Sequence, residues 1–342
     1  MISFKNDYSE GAHENIINLL VKSNLEQVDG YGEDKYSSLA KEKIKKIIKN
    51  DNVDIHFISG GTQANLTVIS SILRPYESVI AAKTGHICVH ETGAIEATGH
   101  KINEIETENG KLYPEIILPV VEAHSDEHMV KPKLVFISNS TEIGTVYTKE
   151  ELVNLSEFCK NNDLYLYLDG ARLGSALTSE GNDLLLSDLA NLADVFYIGG
   201  TKNGALLGEA IVIINNELKE NFRFNLKQKG ALLAKGRLIA IQFVELFTND
   251  LFFKLATHAN LMAKIISDEI KELGFEFLTD SKSNQIFPIL PNKLINKLEK
   301  DYNFYIWQKI NNDTSAIRLV TSWATKELNV DRFIEDIKKY ME

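Results

Sequence analysis

Between residues 53 and 215, short apolar segments alternate with amphipathic helical segments, and no other feature of the sequence constrains the fold as strongly. Residues 164–168 (LYLYL) are almost entirely apolar, which is typical of a parallel strand buried on both faces. A repeated strand–helix order predicts a mostly parallel central sheet with helices on both of its faces. We therefore predict an α/β fold.

The length of the chain and a change in its composition indicate more than one domain. At 342 residues, the chain exceeds the usual size of a single core. Charged helices and short strands replace the regular alternation after about residue 245. We predict an N-terminal arm and helix over 1–45, a large domain over 46–244 and a smaller C-terminal α+β domain over 245–342. In the smaller domain we predict helices over 255–273, 293–300 and 330–340, and strands near 275–278, 285–289, 304–307 and 316–321.

The composition disfavours several classes of partner. A net charge of −11 argues against nucleic acid, because phosphate binding needs a cationic surface. No apolar run approaches the length that spans a membrane, and the N-terminus does not resemble a secretion signal. The two cysteines, Cys88 and Cys159, form no disulfide framework, which fits a reducing compartment. We expect a cytoplasmic protein that binds neither nucleic acid nor membrane.

A glycine-rich turn follows the first predicted strand of the sheet. Residues 59–65 (SGGTQAN) lie between a strand over 53–58 and a helix that runs to residue 73. Free backbone N–H groups and the positive end of the helix make this arrangement suited to binding an anion. The spacing matches neither of the glycine motifs that bind nucleotides. The alternative is an ordinary turn in which Thr62 caps the helix.

Two charged residues also follow apolar strands. Lys202 lies within residues 199–204 (GGTKNG), directly after a strand over 195–198. A half-desolvated amine there would have a lowered pKa and could attack a carbonyl, whereas the alternative is a surface lysine in a turn. Asp169 directly follows the strand over 164–168. Burying a carboxylate there costs free energy unless it is paired. Its simplest partner would be Arg172, in a purely structural ion pair.

The histidines do not form a convincing metal site. His86 and His90 are four residues apart, but no third ligand is evident and nearby glycines interrupt the helical face. His124 and His128 have the same spacing in a polar segment. We predict no metal, and we expect His86 to act as a ring that stacks or transfers a proton.

All of these groups follow strands of one predicted sheet. Because the carboxyl ends of parallel strands meet at one edge, an anion site, an aspartate, an aromatic ring and a reactive lysine would share one crevice. Pyridoxal phosphate requires those four features. The segments that carry them are residues 59–65, Gly85-His86, residues 169–172 (DGAR) and residues 199–204. Together they resemble the fold-type-I pyridoxal-phosphate enzymes of the threonine aldolase family, and the resemblance extends to residues 316–322 (AIRLVTS).

The resemblance implies a role for each matching residue. Lys202 would hold the cofactor covalently, Asp169 would pair with its pyridine nitrogen, and His86 would stack on its ring. Arg172 would lie beside the phenolic oxygen and the substrate carboxylate, which Arg318 would bind with a two-pronged contact. The residues expected to contact the cofactor phosphate or its surroundings are Gly61, Thr62, Gln63, Thr201 and, from a neighbouring subunit, Lys229 and Arg237.

The N-terminal segment and one turn depart from the family pattern. The family commonly has Arg-Ser-Asp where this chain has Lys5-Asn6-Asp7, so Asn6 takes the place of a serine that contacts the substrate carboxylate. The turn after the fifth strand commonly carries a histidine, but residues 139–144 (NSTEIG) contain none. The resemblance therefore leaves the identity of the catalytic base open.

The resemblance implies aldol cleavage of L-threonine or L-allo-threonine to glycine and acetaldehyde. The alternatives are β-elimination from another amino acid on the same scaffold, and a non-catalytic protein that binds the cofactor or an amino acid. A nucleotide-dependent oxidoreductase is disfavoured by the missing glycine motif. We also expect a homotetramer or homodimer with shared active sites, in which Tyr31, Lys229 and Arg237 reach the partner's substrate or cofactor.

Overall fold

The computed structural model describes residues 1–341. The strands are β1 Ile2–Ser3, β2 Asp54–Ile58, β3 Glu77–Ala82, β4 Ile102–Ile105, β5 Lys131–Ser138, β6 Tyr165–Asp169, β7 Val195–Gly199, β8 Glu209–Ile213, β9 Gln285–Ile286, β10 Ile289–Pro291, β11 Tyr302–Asn303, β12 Tyr305–Lys309 and β13 Thr314–Val320. The helices are α1 Glu14–Ser23, α2 Lys35–Ile48, α3 Gly61–Ile72, α4 His86–Val89, α5 Pro114–Ala123, α6 Lys149–Asn161, α7 Leu173–Leu177, α8 Leu186–Leu192, α9 Phe222–Gln228, α10 Arg237–Leu246, α11 Leu251–Glu272, α12 Asn292–Leu298 and α13 Glu327–Met341.

The central sheet has seven strands in the order β2-β8-β7-β6-β5-β3-β4. Strands β4, β3, β5, β6 and β7 are parallel to one another, and β8 runs antiparallel to both β2 and β7. The predicted α/β fold with a mostly parallel sheet is therefore confirmed. The carboxyl ends of β3, β5, β6 and β7 lie side by side.

The two faces of this sheet are covered by two separate apolar cores. In β6, Leu166 and Leu168 pack into one core, whereas Tyr167 points into the other. The first core also contains buried side chains of α2, α6, α8 and α10, and the second contains those of α3 and α9. Because successive side chains of a strand alternate between faces, a strand buried on both sides must be apolar throughout. This explains the LYLYL sequence.

A smaller antiparallel sheet lies in the C-terminal part of the chain. Its order is β10-β13-β12, and β9 pairs with the far end of β13. A third apolar core joins this sheet to α11, α12 and α13, and it includes Phe4 from the N-terminal segment. Strand β1 pairs with β11, whereas Ile16 of α1 and Ile44 of α2 belong to the core of the large sheet. The N-terminal arm therefore contacts the first and third of these cores. The domain boundaries at 45 and 244 stay a prediction.

The prediction of a strand near 275–278 is wrong. This segment forms only one bridge, between Phe277 and Pro288. Two backbone hydrogen bonds flank this bridge, from the Leu278 N–H group to the Phe287 carbonyl (2.9 Å) and from the Ile289 N–H group to the Glu276 carbonyl (2.8 Å), and the pairing extends no further. Strand β4 and the short helix α4, by contrast, were not predicted from the sequence.

Two classes of structure are absent from residues 1–341. No helix in this range combines the length and the apolar character needed to cross a membrane. The same residues contain no group of three or more His, Cys, Asp or Glu side chains arranged to hold a metal ion.

Candidate active site

A cavity of about 670 Å³ lies at the carboxyl ends of β3, β5, β6 and β7. Cavities of this size accommodate small organic ligands. Strands β12 and β13 of the smaller sheet supply part of its wall, through Tyr305, Trp307 and Arg318. The predicted site residues that line it are Gly61, Thr62, His86, Asp169, Arg172, Thr201, Lys202 and Arg318.

Asp169 is buried at the end of β6 and held by three hydrogen bonds. Its Oδ1 accepts hydrogen bonds from the Ala171 N–H group (2.9 Å) and the Tyr197 hydroxyl, and its Oδ2 accepts one from the Asn65 amide (3.1 Å). Only glycine fits next to it, because a Cβ at Gly170 would lie 1.9 Å from the Tyr197 carbonyl oxygen. The DG sequence thus allows β6 and β7 to approach closely and fixes the carboxylate at the floor of the cavity.

Lys202 lies in the tight turn after β7. Glu209 accepts hydrogen bonds from the Gly200 N–H group and the Thr201 hydroxyl, both at 2.9 Å. The Thr201 hydroxyl oxygen in turn accepts one from the Gly208 N–H group, also at 2.9 Å. Burial, followed by the charge of Arg172, lowers the pKa of Lys202, and burial raises the pKa of Glu209 to about 7. The alternative of an ordinary surface lysine does not describe this residue.

A network of polar side chains connects His86 to Asp169. His86 Nδ1 lies 2.8 Å from Oε1 of Glu91, whose side chain is fully buried. The Asn65 amide donates to that same oxygen (2.7 Å) and to Asp169, while its carbonyl accepts the Tyr167 hydroxyl (2.9 Å). An ionised carboxylate can only accept, so Glu91 places the proton on Nδ1 of His86. Sequence reasoning missed Glu91, for which the only signal was an acidic residue five positions after His86.

The partner of Arg172 is Asp7, and the sequence-based alternative of an ion pair with Asp169 is wrong. Arg172 donates from Nε (2.7 Å) and Nη2 (3.0 Å) to the two oxygens of Asp7. Asn284 adds a third hydrogen bond to Asp7 (2.9 Å). Burial by itself would raise the pKa of Asp7, but the charges of Arg172 and Lys202 lower it below its ordinary value. This pair therefore ties the N-terminal arm to the cavity wall.

Arg318 projects from β13 between two aromatic rings. Its guanidinium carbon lies 5.0 Å from the ring centres of both Tyr305 and Trp307. Nη2 donates weakly to the Lys5 carbonyl (3.5 Å), and Nε is buried with no partner among residues 1–341. Burial, together with the charge of Arg172, lowers the pKa of Arg318. A guanidinium that faces a cavity and pairs with no carboxylate is suited to binding an anionic ligand.

The N-terminus of α3 opens into the cavity without a side-chain cap. Gly60 is the N-cap residue, and no side chain accepts from the first N–H groups of the helix. Thr62 therefore does not cap the helix, and that alternative is wrong. Gln63 lies beside the cavity, where its side chain accepts from the Ser59 hydroxyl (2.6 Å) and donates to the Lys229 carbonyl (3.3 Å).

Five of the predicted site residues do not line the cavity of a single chain. Arg237 donates to the carbonyls of Glu26 (2.8 Å) and Asn24 (3.3 Å). The side chain of Asn6 accepts from the Tyr8 N–H group and the Ser9 hydroxyl. The five residues are Asn6, Tyr31, Gln63, Lys229 and Arg237. Asn6 caps a local turn that positions Tyr8, which does line the cavity.

Comparison with known proteins places this chain in a family. Residues 12–292 match the family described as β-eliminating lyases. The chain belongs to the β-eliminating lyase family. It is 33% identical to the low specificity L-threonine aldolase of a Pseudomonas species over 94% of this chain and 92% of that protein. It is 32% identical to the Pseudomonas aeruginosa protein of the same name, over 94% of this chain and 93% of that one.

Solved structures agree with this family assignment. The chain is 48% identical to a Leishmania major threonine aldolase, with a TM-score of 0.99 over the whole of both chains. Aspartate aminotransferase from Thermus thermophilus superposes with a TM-score of 0.74 at 16% identity, over 99% of this chain and 91% of that one, which shows a shared fold alone. The predicted resemblance is therefore confirmed.

Proposed function

We propose that this protein is a pyridoxal-phosphate-dependent lyase that cleaves L-threonine or L-allo-threonine to glycine and acetaldehyde. The observation that supports this most strongly is the meeting of Lys202, Asp169 and Arg318 in one cavity. A lysine of lowered pKa, a buried aspartate and an arginine that pairs with no carboxylate among residues 1–341 provide for a cofactor and for an amino-acid carboxylate. The similarity to proteins named threonine aldolases selects the reaction within the family.

The residues of the cavity fit pyridoxal phosphate. The uncapped N-terminus of α3 offers backbone N–H groups for its phosphate. Glycine is needed at position 61, because a Cβ there would lie 3.1 Å from the Tyr197 hydroxyl. Lys202 would bind it covalently, Asp169 would hold a proton on its ring nitrogen, and His86 would pack on its ring. When bound, the cofactor withdraws electrons from the α-carbon of an attached amino acid.

The remaining residues of the cavity would bind and orient the substrate. Arg318 would donate hydrogen bonds to the substrate carboxylate, assisted by Arg172, whose Nε and Nη2 already hold Asp7. Fixing the carboxylate at one end of the cavity sets the direction of the Cα–Cβ bond relative to the cofactor ring, and correct alignment lowers the barrier to cleavage. The lowered pKa of Lys202 increases the fraction of its neutral, reactive amine.

A second lyase reaction, β-elimination, is favoured by the name of the matching family. It would release pyruvate and ammonia from a suitable amino acid instead of an aldehyde and glycine. A protein that only binds the cofactor or an amino acid is disfavoured, because binding alone does not require a buried carboxylate that keeps the ring nitrogen protonated.

We further propose a homotetramer or homodimer with shared sites. Tyr31, Lys229 and Arg237 lie outside the cavity of their own chain, and Tyr31 is packed against Lys227, whose Nζ lies 4.6 Å from its ring centre. Across a two-fold axis, Lys229 and Arg237 would supply positive charge to the partner's phosphate, and Tyr31 would reach the partner's substrate or cofactor. We also propose a cytoplasmic location, since Cys88 and Cys159 are both free thiols.

The reaction is tested by incubating the protein and pyridoxal phosphate with L-threonine and L-allo-threonine, and measuring acetaldehyde, glycine, pyruvate and ammonia. We expect equal amounts of acetaldehyde and glycine, and a visible absorption band from the covalently bound cofactor. Lys202→Ala should lose the products and the absorption band but keep its far-ultraviolet circular dichroism. Replacing Lys46, an exposed residue of α2, with alanine should leave all three unchanged. Pyruvate and ammonia in place of acetaldehyde would assign the β-elimination reaction instead.

A further inference from the structure

Glu142 lies in the turn after β5, in the middle of the cavity wall. Strand β5 is flanked by β6 and β3, and Ser138 at its end is in register with Asp169. Helix α4, which begins at His86, follows β3. Glu142 therefore lies between the strand that carries Asp169 and the helix that carries His86, and it lines the cavity.

The hydrogen bonds of Glu142 hold one oxygen and leave the other free. Oε1 accepts from the His86 N–H group (2.9 Å) and the Ser138 hydroxyl (2.7 Å). Oε2 has no hydrogen-bond partner among residues 1–341. The carboxylate is thus fixed in orientation while one oxygen stays available to a ligand.

The other two carboxylates that line the cavity have no free oxygen. Both oxygens of Asp169 accept protein hydrogen bonds, and so do both oxygens of Glu209. His86 is occupied at Nδ1 by Glu91. Within residues 1–341, Glu142 is the one carboxylate of this cavity with an oxygen that accepts no protein hydrogen bond.

The surroundings of Glu142 make it a stronger base than an exposed glutamate. The pKa of Glu142 is raised, mainly by burial and further by the charge of Asp169. The Ser138 hydrogen bond and the charge of His86 act in the opposite direction but do not cancel the rise. The other titratable groups near it are Arg172, Tyr147 and Cys88. A general base is most effective when its pKa approaches the working pH, so this shift favours proton transfer.

We propose that Glu142 is the catalytic base that takes the proton of the substrate β-hydroxyl, an assignment that rests on the proposed aldol cleavage. The O–H bond breaks and its proton passes to Oε2 of Glu142. The oxygen then forms the carbonyl double bond of acetaldehyde as the Cα–Cβ bond breaks, and the electron pair of that bond remains with the α-carbon. A proton added at that carbon gives glycine, so one threonine yields one glycine and one acetaldehyde.

The test compares Glu142→Gln with the unaltered holoenzyme in two reactions. Glutamine keeps an oxygen that can accept from His86 and Ser138, but it cannot take a proton. We expect kcat for threonine cleavage to fall by about 10²–10⁴. Exchange of the α-hydrogen of glycine in D2O, followed by NMR, involves no β-hydroxyl and should change by no more than a few-fold. The affinity for glycine, measured from the visible spectrum, should be unchanged.

The dependence of kcat/KM on pH provides a second measurement. The unaltered enzyme should lose activity on the acidic side as Glu142 becomes protonated, at a pH above the ordinary glutamate pKa of about 4.3. This acidic limb should be absent from Glu142→Gln.

An acidic limb that persists unchanged in Glu142→Gln would assign the base to His86 or His90. An equal loss of threonine cleavage and glycine exchange would indicate a structural role for Glu142. Cleavage at the normal rate by Glu142→Gln would overturn this inference alone, whereas no cleavage by the unaltered protein would overturn the proposed function with it.

Discussion

Replacing Asp7 with asparagine should destabilise the protein far more than replacing an exposed aspartate. Asp7 is 1% exposed and accepts three hydrogen bonds, two from Arg172 and one from Asn284. Asparagine has one accepting oxygen and no charge. The Arg172 side chain, which is 13% exposed, would be left buried without the carboxylate that pairs with it.

The expected loss follows from this environment. Removing one partner of a buried ion pair costs about 3–5 kcal/mol, mainly because the remaining charge is uncompensated. The oxygen of the asparagine could retain one hydrogen bond, which places the expected loss near the lower limit, at about 3 kcal/mol. That loss corresponds to about a hundredfold change in the unfolding equilibrium constant.

Urea denaturation of Asp7→Asn, followed by circular dichroism at pH 7, measures this loss. The matched control is Asp268→Asn, which breaks an exposed i,i+4 pair with Lys264 and should change the free energy of unfolding by at most about 0.5 kcal/mol. Because the pKa of Asp7 is lowered in the folded protein, its stabilisation is complete above the unfolded value of about 3.9 and is lost as pH falls through the folded value. The difference in the free energy of unfolding between the wild type and Asp7→Asn should therefore be constant from pH 7 to about 5 and become smaller below about pH 4. A loss no larger than that of Asp268→Asn would refute the reasoning.

Three further predictions concern the site itself. Asp169→Asn should still bind the cofactor but lose about 10²–10³ in kcat, because a neutral amide cannot keep the ring nitrogen protonated; a near-normal kcat would return Asp169 to a structural role. Arg318→Lys should raise KM for threonine at least about tenfold, since an ammonium group cannot reproduce a charged two-pronged contact, while the cofactor affinity measured by dialysis stays the same. Mixing inactive Lys202→Ala subunits with inactive subunits carrying Lys229→Ala and Arg237→Ala should restore part of the activity if sites are shared, whereas subunit exchange without recovery would show that each chain builds its site alone.

Much of the fold and part of the site follow from local sequence patterns. An all-apolar run such as residues 164–168 specifies a strand buried on both faces, because alternate side chains meet two different cores. The rule that parallel strands end at one edge then brings together the residues that follow them. This reasoning correctly placed Asp169, Lys202 and His86 in one cavity, together with Arg318, which was assigned by resemblance.

The partners of these residues were decided by the tertiary structure alone. Arg172 pairs with Asp7, 165 residues away in sequence, instead of with the nearby Asp169. The free oxygen of Glu142 depends on Ser138 and His86 both bonding to the other one. A periodic pattern determines which face a side chain occupies, but a hydrogen bond requires two atoms to meet within about 3 Å at a suitable angle. That condition is met only when distant segments have packed, which is why the sequence predicted the location of the site and not its connections.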